Sequence, residues 1–257
     1  MNMLDSHCHL DFEAFDHDRD EVIHHCQQLG VTDIIVPGVT AEKWPHLLDL
    51  CQNLPALHPA LGLHPMFMAE HKSEHLVLLA DYVEKYRPIA IGEIGLDFYL
   101  DGHNKQNQLD LFEAQLIIAR DAKLPVILHV RKAHDQTLSL LKKHQITRGI
   151  VHAFSGSQQQ AQLYIKQGFL LGIGGAITHE RATRLRQLFS TLPLSSLALE
   201  TDAPDMPLAN MVKQRNTPEN IPQIVATLAE LRAESKKHIA KITYQNVKQL
   251  FLHGGFV

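Results

Sequence analysis

The stretch Asp5-Ser6-His7-Cys8-His9-Leu10-Asp11 sets two imidazoles one residue apart, just after a short apolar start, Met3-Leu4. Read as a strand, side chains alternate between two faces. Asp5, His7 and His9 then share one face, and Ser6, Cys8 and Leu10 the other. Two imidazoles on one face suit a single divalent metal. The chain has eighteen histidines, so chance accounts for one such pair. It does not account for the further ligand-type residues that end later apolar runs. These runs are Gly62-Leu63-His64-Pro65, Ile91-Gly92-Glu93-Ile94-Gly95-Leu96-Asp97, Leu128-His129-Val130-Arg131, Val151-His152-Ala153-Phe154-Ser155-Gly156 and Leu199-Glu200-Thr201-Asp202-Ala203-Pro204. Singly, each polar residue reads as a satisfied buried histidine or a helix-capping carboxylate. Jointly, so many imidazoles and carboxylates without a metal would be crowded and badly solvated.

The inventory suits two divalent metals. His7, His9 and Asp202 are expected to ligate one, His129 and His152 the other, with Glu93 bridging both. Two such ions roughly 3.5–4 Å apart hold a hydroxide that attacks a phosphoryl or carbonyl centre. Asp202 is then the expected general base. By the period of two, Glu200 shares a strand face with Asp202. It either handles a proton, orients a ligand, or accepts a hydrogen bond behind one. Arg131 shares a face with His129 and either neutralises a substrate oxyanion or pairs with Asp97 or Glu200. His64 either contacts a substrate phosphate or orients a ligand. A site this rich in nitrogen favours Zn²⁺ or Mn²⁺ over Mg²⁺, which prefers oxygen and water.

These residues need a scaffold that gathers strand ends. Helical spacing and apolar runs give helices at 18–29, 42–51, 74–86, 105–122, 133–143, 158–167, 180–189, 218–233 and 238–251, the last ending at Gly254-Gly255. Strands fall after the opening run at 32–36, 57–63, 88–94, 125–130, 149–152, 169–173 and 197–199. The strands are continuous apolar runs, as in a parallel sheet covered on both faces. Eight βα units in 257 residues imply a single-domain (β/α)₈ TIM-type barrel over 1–257, whose functional residues lie at the C-terminal strand ends. An open doubly wound sheet fits less well: no glycine-rich loop follows the first strand. Gly172-Ile173-Gly174-Gly175 comes too late for that and reads as a tight strand exit or close backbone approach.

The apolar fraction of 45% and charged fraction of 20% are those of a globular chain with a sizeable core, and the net charge of −4 excludes a protein that coats nucleic acid. Three cysteines, Cys8, Cys26 and Cys51, with no Cys-x-x-Cys pair suggest reduced thiols in the cytoplasm. Cys8 reads as a packing residue. No run approaches a membrane span, and no opening segment reads as a signal peptide.

Taken together and in order, the quoted segments resemble the TatD family of metal-dependent deoxyribonucleases, within the amidohydrolase-like metal barrels. The resemblance implies hydrolysis of phosphodiester bonds in DNA and metal binding by His7, His9, Glu93, His129, His152 and Asp202. Two departures stand out. Family members often carry Cys where this chain has Ala153. They also often carry Pro-Tyr and Arg-Gly elements before an Arg-Asn pair. Here the pair survives as Arg215-Asn216, but the loop 205–215 before it differs. An amide or ester hydrolase using the same metal pair is the alternative. Many of those bridge their metals with a carbamylated lysine on the fourth strand, where this chain has Glu93. On the nuclease reading the substrate is a DNA end, single-stranded or frayed. A duplex interior reaches a pocket floor only by unstacking. Binding should be weak with a shallow salt slope.

Overall fold

Short β-branched and apolar runs form eight parallel strands, and each pairs with the next in sequence order. The elements run β1 (Met3–Asp5), α1 (Arg19–Leu29), β2 (Val31–Pro37), α2 (Trp44–Asn53), β3 (Leu57–Leu61), α3 (Glu74–Tyr86), β4 (Ala90–Asp97), α4 (Lys105–Asp121), β5 (Val126–Arg131), α5 (His134–Lys143), β6 (Gly149–Val151), α6 (Gln158–Lys166), β7 (Phe169–Ile173), α7 (Thr183–Thr191), β8 (Leu197–Leu199), α8 (Ile221–Leu231) and α9 (Lys236–Leu252). This is a computed structural model describing residues 1–99, 104–211 and 213–252. The expected Gly254-Gly255 helix stop lies outside the described residues, as does position 212 of the 205–215 loop. The barrel closes where β8 meets β1: Ser6 N–H donates to the Leu199 carbonyl at 2.8 Å and Asp202 N–H to the His7 carbonyl at 2.9 Å. Among the described residues no helix is long and apolar enough to cross a membrane.

One residue from each strand fills the barrel floor: Leu4, Ile35, Ala60, Ala90, Ile127, Ile150, Leu170 and Ala198. Val247, Leu250 and Phe251 of α9 plug it from below. The neighbouring strand residues, such as Met3, Val36, Leu128, Val151, Leu171 and Leu199, belong to the outer core beneath the helices. The period of two then stacks His129, His152, Gly172 and Glu200 directly above Ile127, Ile150, Leu170 and Ala198 on the inner side. A barrel floor of aliphatic residues therefore carries a polar mouth.

The same alternation corrects the reading of the first strand. Leu4 faces inward, so Asp5 faces out, and β1 ends at Asp5. Asp5, His7 and His9 therefore do not share a strand face. The Asp5 carboxylate turns to the β8 exit, accepting from Thr201 N–H at 3.0 Å, from the Thr201 hydroxyl and from His7 N–H at 3.1 Å. His7 and His9 follow in the loop. Likewise β8 ends at Leu199, so Glu200 and Asp202 are not on one strand face. Asp202 instead takes φ 59°, a left-handed turn. The expected helices at 42–51, 180–189 and 218–233 start late, at Trp44, Thr183 and Ile221: 3₁₀ turns at Ala41–Lys43 and Pro218–Asn220 occupy the first and last of these starts, and a non-helical turn through Glu180 and Arg181 the second.

At the opposite end, Asp33 ties α9 beneath the barrel. Its carboxylate lies 2.9 Å from His58 Nε2 and 3.7 Å from Lys248 Nζ, and accepts from Tyr244 Oη at 3.0 Å and Thr32 Oγ1 at 2.8 Å. Burial alone would raise this carboxyl; these partners hold it at about 2. Its unfolded value is about 3.9, so its contribution to stability is complete above that and is lost as pH falls towards 2. Asp33→Asn should destabilise the protein at neutral pH by about 1–2 kcal/mol in a denaturant titration. The gap to wild type should close between about pH 4 and about pH 2. A gap independent of pH would remove the charge from this account.

Candidate metal centre at the barrel mouth

Glu93 sits at the middle of the mouth, and a strand irregularity puts it there. β4 pairs with β5 through Ile91↔Val126 and Ile94↔Leu128, which leaves an extra residue on β4 at Gly92-Glu93. Alternation from Ala90 would otherwise turn Glu93 outward with Ile91; the bulge re-aims it inward. Its carboxylate is 2% exposed. Oε2 lies 3.1 Å from His7 Nε2 and 3.6 Å from His9 Nε2. Oε1 lies 3.1 Å from His64 Nε2 and 3.1 Å from His129 Nδ1. One carboxylate thus spans two separate groups of imidazoles.

Asp202 is the second spanning group. Oδ1 lies 3.6 Å from His7 Nε2 and 3.7 Å from His9 Nε2, while Oδ2 lies 3.5 Å from His152 Nε2. At 17% exposure it is far more open to the cavity than Glu93 or Glu200. Burial would raise both spanning carboxyls. The facing imidazoles instead hold Asp202 at about 2 and Glu93 well below the usual range. Ligand atoms of His7, His9 and Asp202 come within 4.8 Å of one another, as do those of His7, Glu93 and His152 and those of His64, Glu93 and His129.

Hydrogen bonds sort these histidines. His9 Nδ1 lies 3.2 Å from the Pro37 carbonyl, which can only accept, so Nδ1 carries a proton and Nε2 is the atom left for a metal in the neutral ring. His64 is the reverse. Its Nδ1 accepts from Met66 N–H at 3.1 Å, so the neutral ring carries its proton on Nε2, facing Glu93. Burial and neighbouring His129 push its pKa down to about 4, which keeps that ring neutral. Such a His64 donates to Glu93 and has no lone pair for a metal. His152 Nδ1 lies 3.0 Å from Glu200 Oε1, leaving Nε2 towards Asp202. His129 Nε2 lies 3.1 Å from Asp97 Oδ2.

Glu200 is 1% exposed and also accepts from Ala153 N–H at 2.6 Å. A Cβ on Gly172 would sit 2.2 Å from Glu200 Oε2, so the glycine expected to allow a close approach leaves room for this carboxylate. Arg131 is half exposed at the rim. Its guanidinium lies over the Tyr99 ring at 3.9 Å, and Nη1 is 3.9 Å from Asp97 Oδ2. Cys8 is buried in the outer core, as its packing role required.

Sequence reading missed the partners that hold this arrangement. Asp97 backs His129. Gln115 and Gln108 of α4 each bond both the N–H and the carbonyl of one strand-end residue, Leu63 and Asp97 respectively. Their signal was two amides on the same apolar helix face as Phe112. The Arg215-Asn216 pair is structural: Arg215 pairs with Asp18, and Asn216 Nδ2 donates to the Thr201 carbonyl at 2.9 Å.

Above the carboxylates lies a cavity of about 490 Å³, walled by Phe12, Met66, Phe67, Phe154, Leu185 and Phe189. The sequence matches the model of the TatD related DNase family over residues 4–252. The chain belongs to this TatD-related DNase family. It is a metal-dependent hydrolase of that family, and the described fold is the family's (β/α)₈ barrel. It is 43% identical over 252 residues to the uncharacterized metal-dependent hydrolase YjjV of Escherichia coli K12, covering 96% of this chain and 97% of that one. The crystal structure of that TatD homologue superposes with a TM-score of 0.94 at 42% identity, covering 97% of both chains. The 3′-5′ ssDNA/RNA exonuclease TatD of Erwinia tasmaniensis is 33% identical, covering 97% of this chain and 99% of the relative.

Proposed function

We propose that this TatD-family chain hydrolyses phosphodiester bonds at the ends of single-stranded DNA or RNA, on a single barrel domain, with two divalent metals of the Zn²⁺ or Mn²⁺ type. The observation that carries this reading is Glu93, whose two oxygens face His7 and His9 on one side and His129 on the other. The donor set fits. His9 Nε2 and His152 Nε2 face the cluster, and the carboxylates between them stay ionised. His7, His9, Glu93 and Asp202 would hold one ion, and Glu93, His129 and His152 the other. When bound, such a pair polarises the phosphoryl group and lowers the pKa of water.

The chain's own groups supply the rest. Asp202, open to the cavity and held ionised, takes the proton from the attacking water. Glu200 and Asp97 fix the rings of His152 and His129, and His64 orients Glu93. Arg131 meets the substrate at the rim. The three cysteines are free and buried, which suits a reducing cytoplasm.

The test is metal-depleted and reloaded protein assayed on DNA, RNA, nucleotide diesters and acylated amino acids, with metal content measured in parallel. More than one equivalent of metal and cleavage of single-stranded ends are expected. Under one equivalent after reloading counts against the pair. Turnover of acyl or amide substrates alone favours the amidohydrolase alternative.

Gly172→Ala tests Glu200 indirectly. The added methyl must displace Glu200 from His152, so activity or metal affinity should fall by about 10–100-fold. An unaltered enzyme would show that Glu200 does not need its present place.

A further inference from the structure

A second cleft, about 1180 Å³, opens beside the metal cavity and is more than twice its size. The two share Arg131, Ser155 and Leu185 on their linings, so they adjoin at these residues. Its lining carries three cations, Arg131, Lys132 and Arg184, and no carboxylate among the described residues. That is unexpected in a chain with 28 acidic and 24 basic residues.

Arg131 has Asp97 at 3.9 Å, while among the described residues neither Lys132 nor Arg184 lies in an ion pair. Lys132 Nζ lies 4.6 Å from the Tyr99 ring centre and the Arg131 guanidinium 3.9 Å from it, so one exposed ring carries two cations. Lys132 leaves β5 with φ 53°, a costly conformation for a residue with a side chain. Arg184 is exposed in the first turn of α7, where no acidic residue balances it. A cation there opposes the helix dipole, and together they favour an anion. Most of the rest of the lining, including Ser155, Ser157, Gln158 and Gln187, is uncharged and polar, with Leu185 and Leu188 as apolar members.

We propose that this cleft is a track for single-stranded nucleic acid, in which Lys132 and Arg184, with Arg131 at the junction, bind the backbone phosphates of nucleotides beyond the one at the metals. It rests on the nuclease reading and deepens it: the substrate is an oligonucleotide several residues long and not a nucleotide or dinucleotide. A positively charged groove beside an aromatic ring is how single strands are held without sequence preference. Cations contributed by both the β5 exit and the α7 start, with no carboxylate on the described lining, match a chain of phosphates better than one compact anion.

The test is fluorescence anisotropy of labelled oligothymidylates in chelator, which stops hydrolysis, over lengths from about two to about eight nucleotides. Wild-type affinity should rise with length. The double variant Lys132→Ala/Arg184→Ala should weaken the longest oligomer roughly tenfold and flatten the salt slope by about 1.4, near 0.7 for each lost contact. Exchanging the two cations, Lys132→Arg with Arg184→Lys, should restore most of both. Lys132 and Arg184 are exposed, so the melting midpoint should hold and folding should not obscure the result. With metals restored, the same double variant should raise KM for long oligomers more than it lowers kcat. An unchanged length dependence and salt slope in the double variant overturn the track while leaving nucleic-acid cleavage standing. Wild-type protein that binds and cleaves no nucleic acid of any length overturns the track and the nuclease reading together.

Discussion

Glu93→Gln is expected to lower turnover by on the order of 10³-fold or more, the loss that ~4 kcal/mol of stabilisation represents. The amide keeps the size of the side chain but loses the charge that both oxygens present to His7 and His9 on one side and His129 on the other. One amide oxygen cannot serve two cations, and its NH₂ would point at an imidazole or metal. Metal content should fall in step with activity. The fold should survive, because the amide oxygen still accepts from His64, with some loss of stability because the facing imidazoles favour the charged carboxylate. Glu93→Asp gives a graded control: it keeps the charge, but a carboxylate one methylene shorter cannot reach both sides. Activity near wild type in the Gln variant, with normal melting, would take Glu93 out of the bridging place.

Asp202→Asn should cost about 10²–10⁴-fold in kcat, the range for losing a general acid–base group, with a further loss of metal affinity. This substitution is unusually clean. Asp202 takes φ 59°, and asparagine is one of the few residues that enters that region readily. The backbone turn that carries the side chain therefore survives, and a rate loss reports chemistry. Alanine at the same place would add backbone strain and confuse the reading. Steady-state kinetics on reloaded protein, with a melting curve beside it, decides the matter. An Asn variant with wild-type kcat would move the base elsewhere.

The sequence carried the fold and the membership of the cluster. An apolar strand buried on both faces must be apolar along its length, so a polar residue where it ends marks the barrel mouth. His129, His152 and Glu200 were legible for that reason, each standing two residues beyond a floor residue. His7 and His9 were found for a partly wrong reason: their strand had already ended at Asp5, and the loop, tied by Asp5 to Thr201, brings them in. What the linear pattern lacked was distance across the barrel. The bulge that turns Glu93 inward is a mismatch between two strands and exists in neither alone. The proton on His64 follows from Met66 N–H, the backing of His152 from Glu200, and that of His129 from Asp97. The cleft of Lys132 and Arg184 joins a strand exit to a helix start 52 positions later. Burial writes itself into residue type at every position, because each side chain meets water or it does not. Pairing between elements is fixed only when the sheet closes, so only the tertiary structure decides which polar atoms face one another.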